Sequence, residues 1–290
     1  MQLSSVMRRV SEHAVSALIT AWSLVPATFR VQAYRVLSLL GAYIYEPSIS
    51  RKVQRLPFGM YLKVLDAEEH EVLANEHGAL QLARRYTHIP IPRPLDLVTN
   101  GGHSYLLTSQ IPGLRLGMCI DAMSDREVNS LVYDLQKCIR ELREISKDVA
   151  PDYMITNAVG KACFDYRIIA GSDYDEERGD LAGPFVDETE FNKKLQVGAL
   201  PDVAHRIGHR IFFSHADLNM RNVLIHNGRL SGIVDWENSG WYPEYWDYTK
   251  AYFTTKLPKR WLGIIDRVFK PLGDYKSELA IERQIWEYCY

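Results

Sequence analysis

One stretch near residue 220 constrains this chain more than any other. It reads Ser214-His215-Ala216-Asp217-Leu218-Asn219-Met220-Arg221-Asn222-Val223-Leu224-Ile225, and Asp235-Trp236-Glu237 begins thirteen residues beyond Asn222. The His-x-Asp-x-x-x-x-Asn pattern is a polar loop set between two apolar runs, and Asp235 ends a strand of its own. Two strands flanking a hairpin would bring Asp217, Asn222 and Asp235 into one small volume. Asp and Asn also favour turns for purely local reasons. Together, though, two carboxylates and an amide oxygen are hard ligands that suit Mg²⁺ better than a thiolate-seeking metal. Alternatively, one carboxylate takes a proton from a nucleophilic hydroxyl while the other oxygens hold a metal on a phosphate.

The rest of the chain falls into two textures. Residues 32–43 place apolar side chains at helical spacing, and Gly41 reads as a C-cap. Val53-Gln54-Arg55-Leu56 and Met60 to Leu65 read as a hairpin about Pro57-Phe58-Gly59, and 68–87 as a helix. The run Ile89-Pro90-Ile91-Pro92-Arg93-Pro94 must be extended. Leu95–Val98 and Ser104–Thr108 read as strands joined by Asn100-Gly101-Gly102. With a further strand expected near 42–46, this third reads strand, strand, strand, helix, strand, strand. Beyond Ile111-Pro112-Gly113 the character is helical: 124–146 has a Ser cap, acids in its first turn and a three-four apolar repeat. Residues 150–200 read as irregular, with an acidic run from Asp173 to Asp180, and the end from Tyr245 is helical and rich in Trp and Tyr. The expected fold is α+β and bilobal. It comprises a helical leader (1–40), a small antiparallel-sheet N-lobe (41–111) and a larger, mainly helical C-lobe (112–290).

Composition narrows the function. With 47% hydrophobic residues the chain is globular, and a net charge of −2 gives no bulk field to recruit nucleic acid or an anionic membrane. The four cysteines form no C-x-x-C pair, which points to a reducing, cytoplasmic setting. Ala14–Phe29 carries no charge and follows Arg8 and Arg9, but Pro26 interrupts it and it is shorter than the roughly 20 residues of a spanning helix. It reads as a helix packed on the folded body, with membrane contact the other reading.

The loop His215–Asn222 followed by Asp235 resembles the catalytic core of aminoglycoside phosphotransferase-like kinases, which share the protein-kinase fold and include choline kinase-type enzymes. Gly183-Pro184-Phe185, Phe191-Asn192 and the stretch from Asp235 through Trp246-Asp247 are similar to the fungal branch of that family. The resemblance covers roughly residues 34 to 255. It implies an ATP- and Mg²⁺-dependent enzyme that moves the γ-phosphate to a hydroxyl of a small molecule. Asp217 would be the catalytic carboxylate, and Asn222 and Asp235 the Mg²⁺ ligands. Lys63, held by Glu76, would contact the phosphates. The segment Leu106–Gly113, with Gln110 and Ile111, would hold adenine. His215 would brace the loop and Asp247 anchor it. No glycine-rich phosphate loop is visible; Glu46-Pro47-Ser48-Ile49-Ser50 stands there instead, so Ser48 and Ser50 would supply hydroxyls and backbone N–H groups to the phosphates. The aromatic residues from Trp236 to Tyr248 read mostly as packing. A protein kinase is the lesser alternative, since no activation segment follows Asp235. A catalytically weak, kinase-shaped binding protein rests only on the missing glycines.

Overall fold

The structure is a computed structural model that describes residues 15–46, 50–170, 181–196, 198–253 and 258–289. It divides into two compact units, one holding the residues up to 73 together with 93–110, the other holding 74–92 and the residues from 111 onward.

In the first unit, a helix over 15–23 precedes α1 (Ala27–Ile44). Strands β1 (Val53–Leu56), β2 (Met60–Asp66), β3 (Pro94–Asn100) and β4 (His103–Ser109) form an antiparallel sheet in the order β1-β2-β4-β3. Gly101 and Gly102, both at positive φ, make the two-residue turn between β3 and β4. Val31 and Tyr34 of α1 pack with Leu56, Leu62, Val98, Tyr105 and Leu107. Two expectations fail here. There is no strand near 42–46, because α1 continues through Ile44. Nor is Gly41 a C-cap: it is buried inside the helix, where an added Cβ would run into the Arg55 carbonyl oxygen. The glycine is there for close approach of helix and strand, so the sheet has four strands and Glu46–Ser50 follows a helix.

Helix α2 (His70–Tyr86) straddles the division, and its residues from Ala74 onward belong to the second unit. There Ala79, Leu80 and Ala83 join the main core. Strand β5 (Leu114–Arg115) precedes α3 (Asp125–Arg143), an amphipathic helix. Ser124 caps α3: its hydroxyl accepts the Glu127 N–H while the Glu127 carboxylate accepts the Ser124 N–H. Val128, Leu131, Val132, Leu135, Cys138, Ile139 and Leu142 then fall on one face and are buried. The described parts of 150–200 hold more regular structure than their sequence suggests. It holds β6 (Thr156–Asn157) and α4 (Glu188–Leu195), the latter capped by Asp187 and anchored by buried Phe191. The acidic run from Asp173 to Asp180 lies outside the described residues.

Strands β7 (Ile211–Ser214), β8 (Val223–His226), β9 (Arg229–Ile233) and β10 (Gly240–Pro243) carry the polar loop and the Asp235 turn. β8 and β9 form a hairpin through Asn227-Gly228, with Val223 opposite Ile233; β5 extends it, and β10 pairs with β6 and β7. Helices α5 (Trp246–Ala251), α6 (Lys259–Phe269) and α7 (Lys276–Cys289) complete the unit. Trp236, Trp241, Tyr242, Tyr245, Trp246 and Tyr248 are all buried, as their role in packing requires. Among the described residues no helix is long and apolar enough to cross a membrane.

Candidate active site

The loop from His215 to Asn222 leaves β7 and enters β8, and the β8–β9 hairpin returns the chain beside it, where the Val234 N–H donates to the Asn222 carbonyl at 2.9 Å. Asn222 Nδ2 donates to Asp217 Oδ2 at 2.8 Å and to the Asp217 carbonyl at 2.9 Å. One amide therefore fixes both the backbone and the carboxylate of Asp217. His215 braces the same loop. Its Nδ1 accepts the Asp217 N–H at 3.2 Å and its Nε2 donates to the Val234 carbonyl at 3.1 Å, a pairing that selects the Nε2–H tautomer. Burial lowers the His215 imidazole below its ordinary value, which keeps the ring neutral.

Ala216, between them, adopts φ 60°, and its N–H donates to Asp247 Oδ1 at 2.8 Å. Asp247 thus anchors the loop from α5. Asp235 also lies at positive φ, 68°, a conformation that Asp tolerates better than most residues. Burial pushes the Asp217 carboxyl up to about 6; Lys250 opposes the rise, while Asp235 and Asp165 add to it. Lys250 Nζ is held on Asp165 Oδ1 at 2.7 Å, both residues being buried.

Among the described residues, Glu76, Asp235 and Glu237 are the carboxylates that could share a metal ion, with oxygen atoms within 4.8 Å of one another. Asn75, one position before Glu76 on α2, holds this arrangement together. Its Nδ2 donates to the Glu237 and Ser239 carbonyls at 2.8 and 2.9 Å, and its Oδ1 accepts the Ala158 N–H at 2.8 Å.

The second unit therefore holds two groupings, Asp235 with Glu76 of α2 and Glu237, and Asn222 bonded to Asp217. Ile111 is in this unit too, packed where a Cβ on Gly232 would fall. Lys63, Ser50 and Gln110 belong to the first unit. Lys63 is mid-strand on β2, opposite Val53 and Leu106. Gln110 donates its N–H to the Gly59 carbonyl at 2.8 Å, and the Ser50 hydroxyl accepts the Lys52 N–H at 3.3 Å. Ser48 lies outside the described residues.

Sequence reasoning missed four contributors. Glu237 had a signal, since it sits two positions from Asp235 in a turn that can aim both carboxylates inward. Asn75, Asp165 and Lys250 had none, because their roles depend on partners 83 to 164 residues away.

Relatives in sequence and in structure include aminoglycoside phosphotransferases. An aminoglycoside 3'-phosphotransferase of Enterococcus faecalis is 26% identical over 196 residues, which cover 65% of this chain and 68% of that one. A counterpart from Staphylococcus aureus is 25% identical over the same length. Among solved structures, aminoglycoside phosphotransferase APH(3'')-Id from Streptomyces rimosus superposes with a TM-score of 0.55 at 18% identity, covering 88% of this chain and 97% of that one. A thermostable mutant of APH(4)-Ia, in ternary complex with AMP-PNP and hygromycin B, reaches 0.50 at 15% identity, covering 84% and 81%. Residues 59–279 match the sequence profile of one family, a span that contains Lys63, Glu76, the loop at 215–222 and Asp235, and the chain therefore belongs to the phosphotransferase enzyme family.

Proposed function

We propose that this phosphotransferase uses ATP and Mg²⁺ to phosphorylate a hydroxyl group of a small molecule. The observation that carries the reading is the convergence of one amide-clamped carboxylate, Asp217, with a separate set of acidic oxygens at Glu76, Asp235 and Glu237. The two sets have different work to do. Asp217 is the group that accepts the proton of the acceptor hydroxyl. Asn222 grips its Oδ2, which leaves Oδ1 to meet that proton, and a carboxyl pushed up to about 6 is ionised at neutral pH yet more basic than an exposed one.

The second set fits a hard divalent cation. Its donors are carboxylate oxygens, with no thiolate or imidazole among them, and Asn222 Oδ1 remains available because Nδ2 makes the bonds to Asp217. A bound Mg²⁺ would supply charge neutralisation to the transferring phosphoryl group. Asn75 ties the backbone at Glu237 and Ser239 to α2, beside Glu76. In this reading Lys63 contacts the phosphates, Gln110 and Ile111 the adenine, and Ser48 and Ser50 the phosphate tail. AMP-PNP in the APH(4)-Ia mutant supports nucleotide use, and the aminoglycosides of the relatives support a hydroxylated acceptor.

Asp217→Ala and Asp235→Asn separate the two roles. Asp217→Ala is expected to lower turnover by about 10³-fold or more while the melting temperature still rises with Mg²⁺ and ATP. Asp235→Asn is expected to lose that Mg²⁺-dependent rise. Parent-like ADP release from Asp217→Ala, with any hydroxylated acceptor that the parent uses, would overturn the assignment.

A further inference from the structure

Asn75 is a polar side chain on the buried face of α2. It lies one turn before Ala79, which joins the main core, and it is 2% exposed, so its amide must find partners inside the protein. Nδ2 gives one hydrogen to the Glu237 carbonyl and the other to the Ser239 carbonyl, and Oδ1 accepts the Ala158 N–H. An asparagine amide has two donors, and both are spent on the turn that follows Asp235. The acceptor is spent on the turn that follows β6. Gly78, three residues along the same helix face, brings α2 so close to that second turn that a Cβ there would overlap Val159.

The Asp235 turn is strained. Its φ of 68° persists only where the surroundings over-determine it. On its N-terminal side, His215 bonds the Val234 carbonyl and the Val234 N–H bonds the Asn222 carbonyl. On its C-terminal side, Trp236 Nε1 donates to the Ile233 carbonyl, Asn238 Nδ2 to the Phe164 carbonyl, and Ser239 Oγ to the His215 carbonyl at 3.2 Å. These contacts fasten the turn to the body of the unit. Asn75 alone among them comes from α2, the helix of Glu76. Carboxylate oxygens of Glu76, Asp235 and Glu237 lie within 4.8 Å of one another, and ionised carboxylates that close repel. Their spacing therefore depends on the backbone that carries them.

We propose that Asn75 is a positioning residue of this phosphotransferase: by joining α2 to the Asp235 turn it holds Glu76, Asp235 and Glu237 at the spacing a divalent cation needs, and so sets the affinity for that cation, given the reading of Asp235 above as a cation ligand.

Titration of the full chain with Mn²⁺ alone, followed by the electron paramagnetic resonance signal of the free ion, tests this without nucleotide or turnover. The parent is expected to take up Mn²⁺, and Asp235→Asn to lose that uptake. Asn75→Ala, measured well below its melting temperature, is expected to bind Mn²⁺ about tenfold or more weakly, as the loss of a residue that orients metal ligands does. Leu135→Ala, destabilised in the core of the same unit, is the control: it should melt earlier than the parent yet keep the parent's affinity. Asn75→Ser, which retains one donor, replaces the alanine variant should that not fold, and it too is expected to bind more weakly than the parent. An Asn75 variant that melts earlier but binds Mn²⁺ like the parent assigns the amide to stability alone and overturns the proposal. Equal weakening in Leu135→Ala overturns it as well. A parent that takes up no Mn²⁺ overturns the cation reading itself and the role of Asn75 with it, an outcome visible before any variant is made.

Discussion

Ala216 shows how much of the site depends on one backbone conformation. At φ 60° it turns the chain so that its own N–H meets Asp247 while the next residue, Asp217, points toward Asn222. Holding an L residue there costs roughly 1–2 kcal/mol when its side chain makes no local hydrogen bond, and more for a β-branched one. Ala216→Gly should therefore retain stability to within about 1 kcal/mol, whereas Ala216→Val should cost about 2 kcal/mol or more. Urea midpoints of the two variants provide the check, and a Val variant as stable as the Gly variant would show that the loop is not strained. The sequence offers no hint of this turn, since alanine carries no positive-φ signal. The neighbouring placement was more legible: the spacing of Asp217, Asn222 and Asp235 puts them around one hairpin, which returns the Asp235 segment to the loop. Asn222 was legible by position only. Its bond to Asp217 is a choice of side-chain orientation that spacing does not encode.

At the scale of elements, periodic segments were legible and short ones were not. Helix α3 is readable from its cap and its apolar repeat. Ser124→Ala should accordingly cost about 1 kcal/mol, and Leu135→Ala, at the centre of the buried face, about 2–5 kcal/mol. Chemical denaturation of both should reproduce that order; a cap variant more damaging than Leu135→Ala would contradict it. The β3–β4 turn was equally legible, because Gly101-Gly102 suits a two-residue hairpin loop and little else. Helix α4 escaped notice because eight residues give barely two turns of period, and the helix depends on Asp187 and on Phe191 inserting into the core. Residues 42–44 were misread for a different reason. Tyr43 and Ile44 suit a strand by composition, but they continue a helix already nucleated, and the Gly41 contact with Arg55 favours that continuation.

Across the whole second unit, a buried charge network joins elements far apart in the chain. Arg167 lies over the Trp246 ring at 3.6 Å and pairs with Glu282 of α7 at 3.5 Å, and His205 reaches the same carboxylate at 3.0 Å. His209 bridges Glu188 and Glu278, at 2.7 and 3.4 Å. Burial alone would raise the Glu282 carboxyl, but Arg167 and His205 outweigh it and hold it below its ordinary value of 4.5. A carboxyl depressed in the folded state contributes stability that is fully present above 4.5 and drains away as the pH falls through its lower folded value. Glu282→Gln should therefore cost about 3–5 kcal/mol at pH 7, where Arg167 loses a charged partner, and less at an acidic pH where the parent's own Glu282 has taken up a proton. An equal gap between parent and variant at both pH values would refute the linkage. None of this network was legible in the sequence, because Arg167 and Glu282 are 115 residues apart and each reads alone as an ordinary surface charge. The family's two-lobed plan was legible all the same, as it follows from the order of strand-rich and helix-rich segments.

Trp236, set between Asp235 and Glu237, gives the loop an optical property. Its indole is fully buried, donates to the Ile233 carbonyl at 2.9 Å, and meets the edge of the His215 ring at 4.7 Å. A neutral imidazole barely affects an excited indole, whereas a protonated one accepts an electron from it and darkens its emission. Because His215 stays neutral in the folded loop, Trp236 should fluoresce brightly in the resting protein. It should dim in mild acid once the loop loosens enough for the imidazole to take up a proton, so the difference between the parent and Trp236→Phe spectra would report the state of the His215–Asn222 loop without any added label.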